Sequence, residues 1–170
     1  MSNKSEVKDV FALRTMVEAD LTYVLKMRNN PNIRRYMKHS EIISEDEHKS
    51  WFKSKSIKSD VKLLVFLQNE ILAGFVQFTI NEDHSEAEWG FYKDYNSKQG
   101  IGLKLGNKAI EYIFANTKVK KITGEVLKLN TKSISFHRKL GFVEQKSLTQ
   151  EFCGDTKNHS FVNFILSKPM

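Results

Sequence analysis

Residues 98–107 read KQGIGLKLGN, with Gly100 and Gly102 standing where a strand-like run gives way to a helix-like one. Glycine at those positions removes the side chains that would keep an anion away from backbone N–H groups, and a helix N-terminus adds the positive end of its dipole. Phosphate binding is the chemistry such a stretch supports. Side chains able to move protons flank it: Glu88 before the loop, Glu125 and His137 after it.

Two phosphate-binding patterns fit this loop poorly. A Walker loop would need a second glycine at 105 or 107, where the chain has Leu105 and Asn107. Gly100, Gly102 and Gly106 come near a dinucleotide fingerprint. That motif opens a βαβ unit, however, whereas antiparallel strands are expected upstream of this loop.

The elements that must position these residues follow from periodicity. Residues 10–16 alternate as a strand, and a helix then places Leu21, Val24, Leu25 and Arg28 on one face until Asn30-Pro31 ends it. A short helical turn is predicted through 33–37. Ser44 and Glu47 have the spacing of a capping box, opening a helix that carries His48, Trp51 and Phe52. Strands at 61–68 and 71–80 flank Asn69-Glu70 as a hairpin, and a strand at 85–92 completes a three-strand antiparallel meander. After the glycine loop comes a helix with Ile101, Leu105, Ala109, Tyr112 and Ile113 on one stripe. A strand at 120–129, a helix at 131–140 and strands near 142–151 and 159–167 finish the series, which reads as a mixed α/β (α+β) fold.

Composition narrows the function classes. With 170 residues, 40% hydrophobic and 28% charged, the chain is expected to form one globular domain. No signal-peptide pattern or membrane span is expected, and the location expected is cytoplasmic. The single Cys153 cannot form an internal disulfide, and no Cys/His spacing suggests a metal site. A formal net charge of +7 points to an anionic partner. A nucleic-acid partner would have only that charge behind it and is not expected.

The stretch SKQGIG, set between a strand and a long helix, resembles the pyrophosphate loop of the GCN5-related N-acetyltransferase (GNAT) superfamily. Ser97 stands where arginine or glutamine is usual, and Lys98 is a neighbouring cation able to compensate. A second stretch, NTKSISFHRKLGF at 130–142, resembles the same family's Asn-led helix that ends in Gly-Phe. The resemblance covers most of the chain. It implies a mixed central sheet of about seven strands flanked by helices. It also implies acetyl-CoA as cosubstrate, no metal, and direct attack of an amine on the thioester. Cofactor contacts would come from Phe91 and Tyr92, from Lys98, Gln99, Gly100, Ile101, Gly102 and Leu103 in the loop, and from Asn130 and Phe136. Many relatives carry a tyrosine that protonates the departing thiolate, and here that position is His137. A thiol titrates at about 8.5 and an imidazole at about 6.5, so a histidinium could supply the proton. Glu88 is the first candidate for general base, directly or through a water, and Glu125 the second.

Residues 27–52, together with EWGFY and the Asn-led helix, are similar to the N-acetyltransferases of pseudaminic acid biosynthesis. That group acetylates the 4-amine of UDP-4-amino-4,6-dideoxy-N-acetyl-β-L-altrosamine, a step towards flagellin glycosylation. The similarity implies that Arg28 contacts the nucleotide, Met37 packs on it, His48 hydrogen-bonds to it, and Gln77 belongs to the same acceptor pocket. A guanidinium suits a diphosphate and a thioether suits an aromatic base. Alternatives are a ribosomal-protein N-terminal or polyamine acetyltransferase of the same fold, or a non-catalytic nucleotide-binding module. The basic run Lys26, Arg28, Arg34, Arg35, Lys38 and His39 would repel a polyamine. A homodimer is a further family-level expectation.

Overall fold

The computed structural model describes residues 9–145 and 160–169. Strand β1 (Phe11–Thr15) leads through a 3-10 turn at Glu18–Asp20 into helices α1 (Leu21–Asn29), α2 (Pro31–Arg34) and α3 (Glu45–Ser56). Strands β2 (Val61–Gln68), β3 (Ile71–Ile80) and β4 (Glu86–Lys93) follow, then helix α4 (Ile101–Asn116). Strand β5 (Lys121–Leu127), helix α5 (Thr131–Lys139) and strands β6 (Val143–Gln145) and β7 (Phe161–Ser167) complete the described order. Each expected element is present with ends shifted by a few residues. Residues 146–151 and 159 of the two expected late strands, and Cys153, lie outside the described residues.

The strands form one seven-stranded sheet in the order β1-β2-β3-β4-β5-β7-β6. β2, β3 and β4 are the expected meander, and β1 joins its outer edge antiparallel to β2 after the helical excursion. Asn69 and Glu70 make the first hairpin with φ of 49° and 68°, the left-handed pair that matches the twist of two-residue hairpins. Asn69 also accepts from the Val10 N–H at 2.8 Å, which ties the start of β1 to the turn.

Both faces of the sheet are covered, which is why β2 reads VKLLVFLQ instead of alternating cleanly. On one face Leu64, Phe66, Val76, Phe78, Trp89, Ile122 and Phe164 pack with Leu105, Ala109 and Ile113 of α4. On the other, Leu63, Val65 and Phe75 pack with Val24 and Met27 of α1, with Trp51 and Phe52 of α3 alongside. Phe66, Phe78 and Phe164 are fully buried, each contributing about 2 kcal/mol of transfer free energy.

Local signals set the helix ends. The Ser44 hydroxyl accepts from the Glu47 N–H, and the Glu47 carboxylate accepts from the Ser44 N–H at 2.7 Å. Helix α5 begins with Asn130, whose side chain accepts from the Ser133 N–H, and stops at Gly141 with φ of 87°. There the Phe142 N–H bonds the His137 carbonyl and the Gly141 N–H bonds that of Arg138, a Schellman ending. Gly106 has a different use: a Cβ there would lie 2.6 Å from Leu140 and 2.9 Å from Phe136, so this glycine lets α4 and α5 touch. Its place in a dinucleotide fingerprint was coincidental.

Candidate active site

The one parallel junction of the sheet is short. β4 and β5 pair only at Glu86↔Lys121, Ala87↔Ile122 and Glu88↔Thr123, after which the strands part. Among the described residues the β4 edge from Trp89 to Lys93 therefore has no strand on the β5 side, and backbone polar groups left there need partners. An extended chain of amides such as a pantetheine arm meets that need. Beyond β4, Gly100 takes φ of 91° as N-cap of α4, a conformation that glycine adopts without strain. The Ile101 N–H donates to the Lys98 carbonyl at 3.3 Å, whereas the N–H groups of Gly102 and Leu103 have no carbonyl four residues earlier in the helix, so the helix opens as an anion cradle at the end of the gap.

Within that cradle Gly102, Leu103 and Gln99 lie at the opening, while the Ile101 side chain is 5% exposed and belongs to the core. With its N–H on the Lys98 carbonyl, Ile101 serves the loop and the core, and Gly102 and Leu103 are left to present donors. Phe91 and Phe136 lie 4.8 Å apart, with Trp89 at 4.8 Å from Phe91, so their rings close the α5 side of the gap. Asn130 is engaged as the cap of α5.

The proton-moving candidates meet different environments. Glu88 is exposed on the opposite face of β4 from Trp89, at the point where β4 and β5 part. It lines a cavity of about 250 Å³ with Thr123, Gly124, Glu125 and Asn163. Glu125 shares the cavity, but its carboxylate holds the Lys38 ammonium at 2.5 Å.

His137 does not fit the expected acid role. It is 2% exposed, its Nε2 accepts from the Trp89 indole N–H at 3.2 Å, and its Nδ1 donates to the Ser133 carbonyl at 2.8 Å. Phe164 stacks on the ring at 4.8 Å. Burial pulls its pKa below the ordinary histidine value, with the Ser133 carbonyl partly opposing. The imidazole is neutral, and both nitrogens serve the core, so neither is left to protonate a thiolate.

Arg28, His48 and Tyr92 come together on the Glu88 face of the sheet. His48, 4% exposed, stacks on Trp51 at 5.0 Å, and burial followed by the Arg28 charge lowers its pKa. Tyr92 packs on Phe75 at 5.1 Å, and burial raises its pKa, so the phenol keeps its proton. Arg28 donates to the His39 carbonyl and Arg34 to the Ser40 carbonyl, both at 2.6 Å. Arg28 Nη1 and Arg34 Nε are nevertheless buried and have no hydrogen-bond partner among the described residues. Burial pulls the Arg28 pKa down; the Tyr92 interaction offsets part of this and Arg34 adds to it. Gln77 faces the same side, opposite Gly90, and donates to Thr79 at 3.3 Å. A Cβ on Gly90 would meet nothing within 4 Å, which leaves the sheet open there. Met37 is half-buried in the turn after α2.

Three side chains were not singled out individually from the sequence: Arg34, Lys38 and Lys93. Arg34 and Lys38 were visible only as part of a basic run, and nothing in spacing distinguishes the cation that is buried from those in solvent. Lys93 ends β4 with its ammonium 2.8 Å from Ser97 Oγ, a contact that needs the turn at 94–97 to form. Among the described residues no group of three His, Cys, Asp or Glu side chains could hold a metal ion, and no helix is long and apolar enough to cross a membrane.

Comparison with known proteins agrees with this geometry. Residues 11–143 match the Acetyltransferase (GNAT) domain family. The acetyltransferase PseH of Campylobacter jejuni is 31% identical over 123 residues, spanning 72% of this chain and 76% of the relative. Spermidine N(1)-acetyltransferase of Vibrio cholerae is 28% identical over 144 residues, 82% of this chain and 83% of that one. The Vibrio cholerae spermidine N-acetyltransferase, solved in complex with CoA and spermine, superposes with a TM-score of 0.82 at 24% identity, covering 92% of this chain and 95% of that one. With the parted strands and the glycine cradle where a CoA thioester needs them, the chain belongs to the GNAT family and is an N-acetyltransferase that uses acetyl-CoA.

Proposed function

We propose that the acceptor is a UDP-linked 4-amino-dideoxysugar of the kind used in pseudaminic acid biosynthesis, acetylated on its amine in the cytoplasm. The observation that carries this reading is the pair of buried, unpartnered guanidinium nitrogens on Arg28 and Arg34. Two cations close enough to repel, without a carboxylate between them, are stabilised by an anion that accepts from both, and a diphosphate has the charge and the oxygens to do so. His48 and Met37 stand beside that corner to take the nucleoside.

In this reading Glu88 takes the proton from the attacking amine, directly or through a water. The amine nitrogen bonds to the thioester carbon, and the carbon–sulfur bond breaks. The thiolate that leaves ends as a thiol, its proton balanced by the one the amine gives up. Backbone N–H groups along the open β4 edge support the carbonyl oxygen as charge develops. Residues 99–103 hold the pyrophosphate, and His137 positions Trp89 without touching the reacting atoms.

The second reading, a polyamine acceptor, is favoured by the carboxylates of Glu88 and Glu125 in one cavity. Lys38 already occupies Glu125, and the arginine corner would repel a polycation. The test is release of CoA thiol with a UDP-4-amino-dideoxysugar, a peptide amine and spermidine in parallel. Turnover confined to the nucleotide sugar, with a raised acceptor KM in Arg28→Met, supports the proposal. Turnover with spermidine alone removes it.

A further inference from the structure

The cation that the sequence sets beside the glycines is Lys98, and its side chain is exposed. Another lysine lies closer to the cradle. Lys93, the last residue of β4, shares the face of Ala87, Trp89 and Phe91 and runs towards the start of α4. A Cβ on Gly102 would lie 3.6 Å from Lys93 Cδ, so the stem lies against the first turn of that helix. Its ammonium donates to the Ser97 hydroxyl at 2.8 Å and to the Asp94 carbonyl at 3.2 Å. Ser97 Oγ in turn donates to the same Asp94 carbonyl at 2.7 Å.

An ammonium has three N–H donors, and these two bonds leave one. Both partners belong to the 94–97 turn, so the turn holds the charge in place beside the helix opening. Neither partner is a carboxylate, so the positive charge is not neutralised by direct contact. Burial lowers the Lys93 pKa, Asp94 partly opposes this, and Lys132 at the start of α5 lowers it further.

We infer that Lys93, oriented by Ser97, is the charged ligand of the acetyl-CoA pyrophosphate, acting with the backbone N–H groups of the glycine cradle. Ser97 is a positioning residue: its hydroxyl is uncharged but holds the ammonium that carries the charge.

The experiment is calorimetric titration of the purified protein with CoA and with dephospho-CoA, which keeps the pyrophosphate and lacks the ribose phosphate. Lys93→Met is expected to weaken both ligands by about tenfold, the loss of one charge-assisted bond, and to flatten the dependence of affinity on salt. Lys93→Arg is expected to restore most of that affinity, and Lys98→Met to weaken both ligands less than Lys93→Met does. Ser97→Ala is expected to weaken both ligands in the same direction by a smaller factor, and it carries the test if Lys93→Met does not fold. Unchanged CoA affinity in Lys93→Met and Ser97→Ala overturns the inference. So does a loss seen with CoA but absent with dephospho-CoA, which would assign Lys93 to the ribose phosphate, or a loss that appears in Lys98→Met instead.

Discussion

The indole of Trp89 on β4 donates to Nε2 of His137 on α5, joining the open edge of the sheet to the helix that covers it. The other ring nitrogen donates to Ser133, so the imidazole is locked neutral. With its folded pKa lowered, the unfolded chain binds the extra proton first as pH falls. The stability that neutral His137 contributes is therefore complete above about pH 6.5 and is lost as pH falls through the window between that value and the folded one. His48 is lowered as well and acts in the same direction. Urea midpoints at pH 7.5 and pH 5.5 should fall with acid in the unaltered protein and fall less in His137→Gln. That variant should lose about 1–3 kcal/mol of stability while its turnover drops only modestly. A collapse of turnover with stability unchanged would restore the acid role.

Gly124 on β5 faces that pair. An added Cβ would lie 2.7 Å from Trp89 Nε1 and 3.1 Å from His137 Nε2. Gly124→Ala should push the two rings apart and cost about 1–3 kcal/mol in a urea melt, with a shift in tryptophan fluorescence. An unshifted midpoint would mean that the rings have room to retreat.

Glu88 and Glu125 line one cavity, but among the described residues only Glu125 holds a lysine. Glu88→Gln should lower kcat by about 10²–10⁴ with CoA affinity intact, as expected for loss of a general base. Glu125→Gln should leave kcat within a few-fold and change stability by less than about 0.5 kcal/mol, because its bridge to Lys38 is largely in solvent. Reversal of the two kcat effects would move the base to β5.

Asp20 is 5% exposed and accepts from both Arg14 guanidinium nitrogens at 2.7 and 2.8 Å, and from the Val17 N–H at 2.8 Å. The Arg14 bonds hold its pKa below the usual carboxylate range despite burial. The stability this gives is complete above the unfolded pKa of about 3.9 and disappears as pH falls through the folded value. Asp20→Asn should cost about 2 kcal/mol at pH 7 and remove part of the acid dependence below pH 4, read from circular dichroism melts.

Much of this architecture was legible in the sequence because its signals are local. The Ser44–Glu47 box, the Asn69-Glu70 hairpin and the Asn130-to-Gly141 helix each depend on residues a few positions apart, and each formed as read. The glycine loop was equally local. His137 was misread because its role depends on Trp89, which lies 48 positions away, and periodicity does not show which nitrogen of a buried ring is already taken. Lys93 gives no signal in the sequence for the same reason: its contact with Ser97 depends on a turn that folds back. The run from Lys26 to His39 is visibly basic in the sequence, yet the burial of the Arg34 Nε atom and the reach of Lys38 to Glu125 on β5 depend on how α2 and the turn after it sit over the sheet.

The three-pair junction between β4 and β5 also divides the fold mechanically. On one side, β1 to β4 form a ladder built from antiparallel neighbours; on the other, β5, β7 and β6 form a second one. Few backbone bonds cross the seam, and the core under α4 and α5 carries most of the connection. With acetyl-CoA along the free edge of β4, as proposed above, the cofactor would act as a splint, binding the joined form and not the parted one. At one hundred times its dissociation constant it adds about 2.7 kcal/mol against opening. Protease resistance and amide exchange across the seam should then follow cofactor concentration, so that an acyl donor consumed at each turnover also decides how long the two ladders stay together.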